Sequence, residues 1–247
     1  MTGCEFQLDP CAAATLAAPD MPLWLAILLG AGPCLVWMVL IHRHDDHEAE
    51  PWSLVFLAMA LGALSTAGVL WTWPHLEAAF ASNHAVVHAF CVTALGEEGW
   101  KLIALLPLLL HSELDEPLDG AVYGAAVGLG FAGVENVIYA GHFGDVALLL
   151  QRAFTATLVH AACSGCLGFC LAVGKLHGLG RGRVFWCLLG LGIAIPVHGV
   201  YDLYLDGDRG HMLVSLLLVL PTALFLLGFK INWARARSHH YHPDGQG

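Results

Sequence analysis

Mainly apolar stretches, each about the length of a membrane crossing, recur from one end of the chain to the other. A helix needs ~20 consecutive apolar residues to cross the hydrocarbon core of a bilayer. The stretches near 22–41, 52–73, 86–110, 120–140, 150–174, 184–205 and 211–231 meet that length. In hydrocarbon every backbone N–H and C=O must be paired inside the protein, which leaves helices or closed barrels. Strand-like alternation does not recur, so the sequence predicts an all-α membrane protein with about seven transmembrane helices. Composition agrees: 57% of the 247 residues are hydrophobic and 12% are charged, with a mean hydropathy of +0.68. Soluble domains carry about 25% charged residues.

Lys and Arg set the orientation. The loops after spans 1, 3, 5 and 7 hold Arg43, Lys175, Arg181, Arg183, Lys230, Arg235 and Arg237, and the opposite side holds Arg152 and Arg209. The positive-inside rule then puts the C-terminus in the cytoplasm and the N-terminus outside. Residues 1–20 lack the basic start and apolar core of a cleavable signal peptide, so the first span reads as an uncleaved anchor. Connections are short. The expected organisation is an extracytoplasmic tail (1–21), one transmembrane helical domain (22–231) and a cytoplasmic tail (232–247). The formal net charge of −10 comes from scattered Asp and Glu, and no basic patch interleaved with aromatics occurs, which excludes nucleic acid as a partner.

Other residues have simple readings. Trp24, Trp52, Trp71, Trp73, Trp186 and Trp233 fall near span ends, as interface aromatics do. Gly120, Gly124, Gly128, Gly130 and Gly133 predict close helix contacts. Cys163, Cys166 and Cys170 read as small packing residues rather than zinc ligands, and Cys4 and Cys11 are a pair only if the tail meets an oxidising compartment. The runs His42-Arg43-His44-Asp45-Asp46-His47 and Ser238-His239-His240-Tyr241-His242 read as solvated segments. Asp119, at the start of span 4, is expected to be an N-cap. Arg152 is placed either to line a substrate entrance or to snorkel to the interface.

Four polar clusters break the apolar pattern. The first is Glu97-Glu98-x-x-Lys101 in span 3, where Lys101 lies one turn from both acids. The second is Phe131-x-x-x-Glu135-Asn136 in span 4. The third is His160 in span 5, and the fourth is His198-x-x-x-Asp202 in span 6, with Asp202 on the same face as the imidazole. A charge at the bilayer centre costs roughly 2.5–3.5 kcal/mol on insertion scales, so such groups face partners or a polar cavity and mark function. With the topology set by Lys and Arg alone, Glu97, Glu135, His160 and His198 fall within roughly 10 Å of one depth at 1.5 Å per residue. Four helices therefore present polar groups in one layer, more than helix packing needs. The chemistry that fits is hydrolysis: a carboxylate takes a proton from water, and a His or Asn donates to the developing oxyanion. There is no serine elbow and no HExxH motif.

These motifs, with Glu50-Pro51 and the run from Asp119 to Asn136, resemble the PrsW family of intramembrane proteases, within the wider group that includes type II CAAX prenyl endopeptidases. The resemblance runs from about Glu50 to Asp202. It implies a bacterial, multi-pass protease of the inner (cell) membrane. Its substrate would be a membrane-anchored protein, an anti-sigma factor or a lipid-linked peptide among the candidates. It implies Glu97 as the base with Glu98 beside it. His198 would polarise water or stabilise the oxyanion, and His160 and Glu135 would belong to the catalytic set. Lys101, Asn136 and Asp202 are supporting residues. CAAX-type relatives carry His where this chain has Glu135, which leaves its role as ligand, proton shuttle or structural group open. Glu97, Glu135, His160 and His198 are also of the types that bind Zn²⁺, and a carboxylate–His mechanism works without it. Two alternatives stand beside this reading: a seven-span zinc-dependent lipid amide hydrolase, and a non-catalytic proton or ion pathway. The absence of a spaced row of acids counts against the second.

Overall fold

The computed structural model describes residues 21–43, 50–81, 84–177 and 180–205, with positions 221, 224, 227 and 228. Helices follow one another: α1 (Leu23–Arg43), α2 (Trp52–Ala79), a short α3 (Ala85–Val87), a π segment (His88–Ala94), α4 (Leu95–Leu105), a 3₁₀ turn (Leu108–Leu110), α5 (Pro117–Phe143), α6 (Val146–Phe154), α7 (Ala156–His177) and α8 (Arg181–Leu205). No strand occurs among the described residues. Five runs are long and apolar enough to cross a membrane: α1, α2, α5, the run Val146–His177 that joins α6 to α7, and most of α8. The stretch predicted near 86–110 is helical from Ala85 to Leu105, although Glu97, Glu98 and Lys101 interrupt its apolar character. The stretch near 211–231 lies mostly outside the described residues.

In lipid, helices associate through close packing rather than by hiding apolar surface from water. The sequence meets this need on α5, which packs against α7, α2 and α1 and is buried along most of its length. A Cβ at Gly128 would run into the backbone carbonyl of His160, and one at Gly130 would meet that of Met59. These positions let the backbones touch and set His160 of α7 directly against α5. Leu23, Trp24, Val36, Leu64, Trp71, Val184 and Leu188 are exposed on α1, α2 and α8, the surface that lipid would cover.

Irregularities lie close to the polar residues. The π segment leads straight into Glu97 and Glu98, and Pro196 lies inside α8 two residues before His198. Between α6 and α7, Thr155 leaves helical geometry (φ −127°, ψ −86°), and its hydroxyl donates to the Gln151 carbonyl at 2.9 Å. α5 ends at Gly144, whose φ of 61° favours glycine.

Several expectations change. The N-cap of α5 is Glu116, and Asp119 is the N3 residue of the capping box, accepting from the backbone N–H of Glu116 (2.6 Å) and Asp115 (2.9 Å). Trp73 is buried against Val69, Val92 and Phe131 instead of lying at an interface. His42 is folded in: its Nε2 lies 2.7 Å from the Glu50 carbonyl and its ring stacks on Trp52. As expected of small packing residues, Cys163, Cys166 and Cys170 are buried on α7. Residues 44–47 and 238–242, Cys4 and Cys11 lie outside the described residues.

Candidate active site

All four polar clusters meet at one point. On α4, Glu97, Glu98 and Lys101 are nearly fully buried, as the one-turn spacing requires if they share an inward face. Lys101 Nζ donates to Glu98 Oε1 at 2.9 Å and to Glu97 Oε2 at 3.3 Å. It also lies 2.8 Å from His160 Nδ1, and 4.0 Å from the ring centre of Phe131. An ammonium has only protons to give, so Nδ1 of His160 is the acceptor and the neutral ring carries its proton on Nε2. That Nε2–H faces Glu135 Oε2 at 2.8 Å.

His198 arrives from α8, two residues after Pro196. Its Nδ1 lies 2.9 Å from Glu98 Oε1, and its Nε2 lies 3.2 Å from Asp202 Oδ2 and 3.7 Å from Glu97 Oε2. The two imidazoles stand edge to face, 4.9 Å apart. Asp202, whose side chain is 24% exposed, is the most open member of the group.

One residue here carries more than its sequence reading gave it. Arg152, 3% exposed, does not snorkel. Its Nη2 lies 2.8 Å from Glu135 Oε2, and its Nε donates to Asn136 Oδ1 at 2.7 Å. Asn136 Nδ2 in turn donates to Thr157 Oγ1 at 3.0 Å. Tyr139 lies beneath the guanidinium, 3.6 Å from ring centre to Cζ. No motif spacing links these residues. The signal available was an Arg one helix break away from a membrane His.

Four carboxylates (Glu97, Glu98, Glu135, Asp202) face two permanent cations (Lys101, Arg152), which leaves two negative charges to be balanced by protons or by a divalent cation. Buried charge without compensation is costly. One donor atom from each of Glu97, His160 and His198 lies within 4.8 Å of the others. Two His and one Glu are a known catalytic zinc donor set. The Lys101 ammonium, touching two of these three donors, shows them converging on positive charge. In type, spacing and charge the residues fit a divalent metal ion.

Comparison with known proteins agrees with this geometry. The family model described as PrsW family intramembrane metalloprotease matches residues 50–228. The chain is 28% identical to "Protease PrsW" of Bacillus subtilis (strain 168) over 219 residues, covering 87% of this chain and 97% of that protein. It is 32% identical to "Protease PrsW" of Geobacillus kaustophilus (strain HTA426) over 177 residues (71% and 77%). It is 25% identical to "Protease PrsW" of Clostridioides difficile (strain 630) over 223 residues (87% and 91%). No solved structure matches the chain. A buried Glu/His/His centre, with both histidines on helices long enough to cross a membrane, matched over most of the chain by these proteases, means that the chain belongs to the PrsW family of intramembrane metalloproteases.

Proposed function

We propose that this protease hydrolyses a peptide bond of a membrane-anchored protein with a water activated by Glu97. The observation that carries this assignment is how the carboxylate is used. Among the described residues the polar contacts of Glu97 run through Oε2, toward Lys101, His160 and His198, and Oε1 is the oxygen we assign to water. Oε1 takes the water proton as the oxygen attacks the scissile carbonyl, then returns it to the departing amine. Glu98 has a different job. Its Oε1 is shared between Lys101 and Nδ1 of His198, so it orients the imidazole and does not meet the substrate. Asp202 forms the open side by which water and the extended substrate enter. Glu97, His160 and His198 would hold Zn²⁺, which when bound supplies positive charge to polarise the water and the scissile carbonyl.

The setting follows the same reading. The helical path from Ala85 to Leu105 serves as a sixth crossing, its polar face turned to the bundle. Residues 211–231 would provide a seventh, a reading supported by the helical positions Pro221, Leu224, Leu227 and Gly228 and by Leu227 packing against the cluster that holds Phe169 and Cys170. Residues 22–231 then form one domain in a bacterial cell membrane, with tails 1–21 outside and 232–247 in the cytoplasm, as the Lys and Arg distribution favours. An anti-sigma-factor-like protein or a lipid-linked peptide suits a site at this depth.

The test compares the membrane proteomes of cells producing the wild type and Glu97→Ala at equal levels. New N-termini near membrane spans, present only with the wild type, identify the substrate and support the assignment. Identical termini in both strains would refute it. Elemental analysis of the purified proteins then decides the metal. About one zinc per chain, lost in Glu97→Ala and His198→Ala, supports the ligand set. A metal-free, cleavage-competent enzyme assigns oxyanion donation to His198 Nε2.

A further inference from the structure

His160 has to present Nδ1, not Nε2, toward Glu97, although an imidazole ring can flip and exchange the two. Lys101 holds Nδ1 from one side, and a second set of residues holds the ring from the Nε2 side. Glu135 Oε2 lies 2.8 Å from His160 Nε2, and the same oxygen lies 2.8 Å from Arg152 Nη2. The guanidinium is itself gripped, through Nε by Asn136 and across its face by Tyr139. Asn136 is anchored on Thr157, in the first turn of α7, the helix that carries His160. The circuit closes on itself: α7 to Asn136, to Arg152, to Glu135, and back to His160 on α7.

Arg152 lies eight residues before His160, about 12 Å of rise on an uninterrupted helix. The break at Thr155 separates the two helices, and Tyr201 on α8 donates to the Thr155 hydroxyl at 3.0 Å. An arginine that only needed to reach the interface would require neither the break nor three partners. A planar guanidinium with fixed donors is the cation suited to hold one carboxylate oxygen in place.

We propose that Arg152 is a positioning residue for the hydrolytic centre: it fixes the Glu135 carboxylate, which holds the His160 ring with Nε2–H bonded and Nδ1 turned to Glu97. This rests on the reading of Glu97, His160 and His198 as the catalytic centre. Glu98 does the corresponding work for His198 with Lys101 behind it, so each imidazole is backed by a carboxylate and each carboxylate by a cation. Histidine ligands of metal sites are commonly oriented this way, and loss of the orienting partner costs about 10–100-fold in activity or affinity.

The test uses full-length, detergent-purified protein labelled with ¹⁵N-histidine, with the His160 signals assigned by their disappearance in His160→Asn. In the wild type, His160 gives one bare and one protonated nitrogen, and an Nε2–H proton that exchanges slowly with water. Arg152→Met should lose that slow proton. Because it strands a buried carboxylate, Arg152→Lys serves as the fold-preserving partner: the charge stays, but an amine cannot reproduce the planar grip on Asn136 and Glu135. We expect Arg152→Lys to melt near the wild-type temperature, exchange its Nε2–H proton faster, and lower kcat about 10–100-fold with KM unchanged on the substrate found by the proteome comparison. In kcat, Arg152→Lys combined with Glu135→Gln should be no worse than the more damaging single change, whereas combined with Glu98→Gln the effects should multiply. If every folded Arg152 variant keeps the slow proton and wild-type kcat, the proposal is wrong and Arg152 only supports the fold. The proton signal is read without substrate, so cleavage that persists in Glu97→Gln would overturn the catalytic reading without touching this result.

Discussion

Buried acids gather at both ends of α5, and the two ends treat them differently. Near the start, Asp119 accepts backbone N–H bonds from the capping loop, and the Tyr123 hydroxyl donates to the Glu50 carboxylate. The His42 ring points to the Glu50 carbonyl. Sixteen residues later, about 24 Å along the helix, Glu135 joins Glu97, Glu98 and Asp202 among two cations and two imidazoles. In the first group the acids are tied to backbone amides, to a phenol and to each other, and the His42 imidazole is turned to a backbone carbonyl rather than to a carboxylate. That end fastens the loop before α2 to the start of α5. The second end keeps an excess of negative charge, has an open side at Asp202, and contains groups that exchange protons readily. Burial of an acid therefore does not mark chemistry by itself. What marks it is the kind of partner.

The largest effect expected from this contrast is at Glu97. Glu97→Gln keeps the shape and removes both the proton acceptor and a carboxylate donor for a metal, and it should lower cleavage about 10²–10⁴-fold while leaving membrane insertion intact. Incubation of the purified variant with the reconstituted substrate measures this. A Glu97→Gln enzyme that cleaves at the wild-type rate would erase the distinction between the two ends.

Next comes Lys101→Met, which probes how the charged end holds together. Removing one partner of a buried ion pair typically costs about 3–5 kcal/mol, and here two carboxylates lose their shared cation. We expect a marked fall in melting temperature in detergent, largely recovered when Glu98→Gln is added. If Lys101→Met alone melts like the wild type, the ammonium is not the charge that balances these acids.

Glu98→Gln in the Lys101 background should be milder. An amide oxygen still accepts from Lys101 and from His198 Nδ1, but less strongly, and orienting partners of this kind contribute about 10–100-fold. Measured at saturating substrate, kcat should drop with little change in stability. An effect as large as that of Glu97→Gln would mean that Glu98 meets the water as well.

Much of this contrast was legible in the sequence, and the part that was not has a physical cause. Intramembrane carboxylates are expensive wherever they occur, so Glu97, Glu98, Glu135 and Asp202 stood out from their apolar flanks, and one-turn spacing joined Lys101 to its acids and His198 to Asp202. The glycines of α5 announced close contact for the same reason, because nothing but packing holds helices together in lipid. Of the two readings of Arg152, snorkelling fails: a helical ruler puts it a full ~12 Å of rise from His160, yet across the break at Thr155 both residues reach Glu135. Asp119 was placed one turn early because a capping box has two acids here, and the sequence alone does not tell the N-cap from N3. His42 was read as part of a solvated run and Trp73 as an interface aromatic, whereas His42 is held at the Glu50 carbonyl and Trp73 packs in one cluster with Phe131.

The smallest effect belongs to the quiet end of α5. Tyr123→Phe removes the hydroxyl that donates to Glu50 and leaves the ring in its packing. A hydrogen bond inside a membrane protein contributes about 0.6 kcal/mol on average, with a maximum near 1.7. A carboxylate acceptor places this one toward the upper part of that range. Melting temperature should fall by a few degrees, and kcat should stay at the wild-type value because the centre lies some 20 Å away along α5. If kcat falls with stability unchanged, the two ends are coupled through α5 and the division between a fastening and a reacting cluster does not hold. If stability alone moves, the cluster of Glu50, Asp119 and Tyr123 belongs to the fold, and the cost of burying its acids is offset by the loop it ties down.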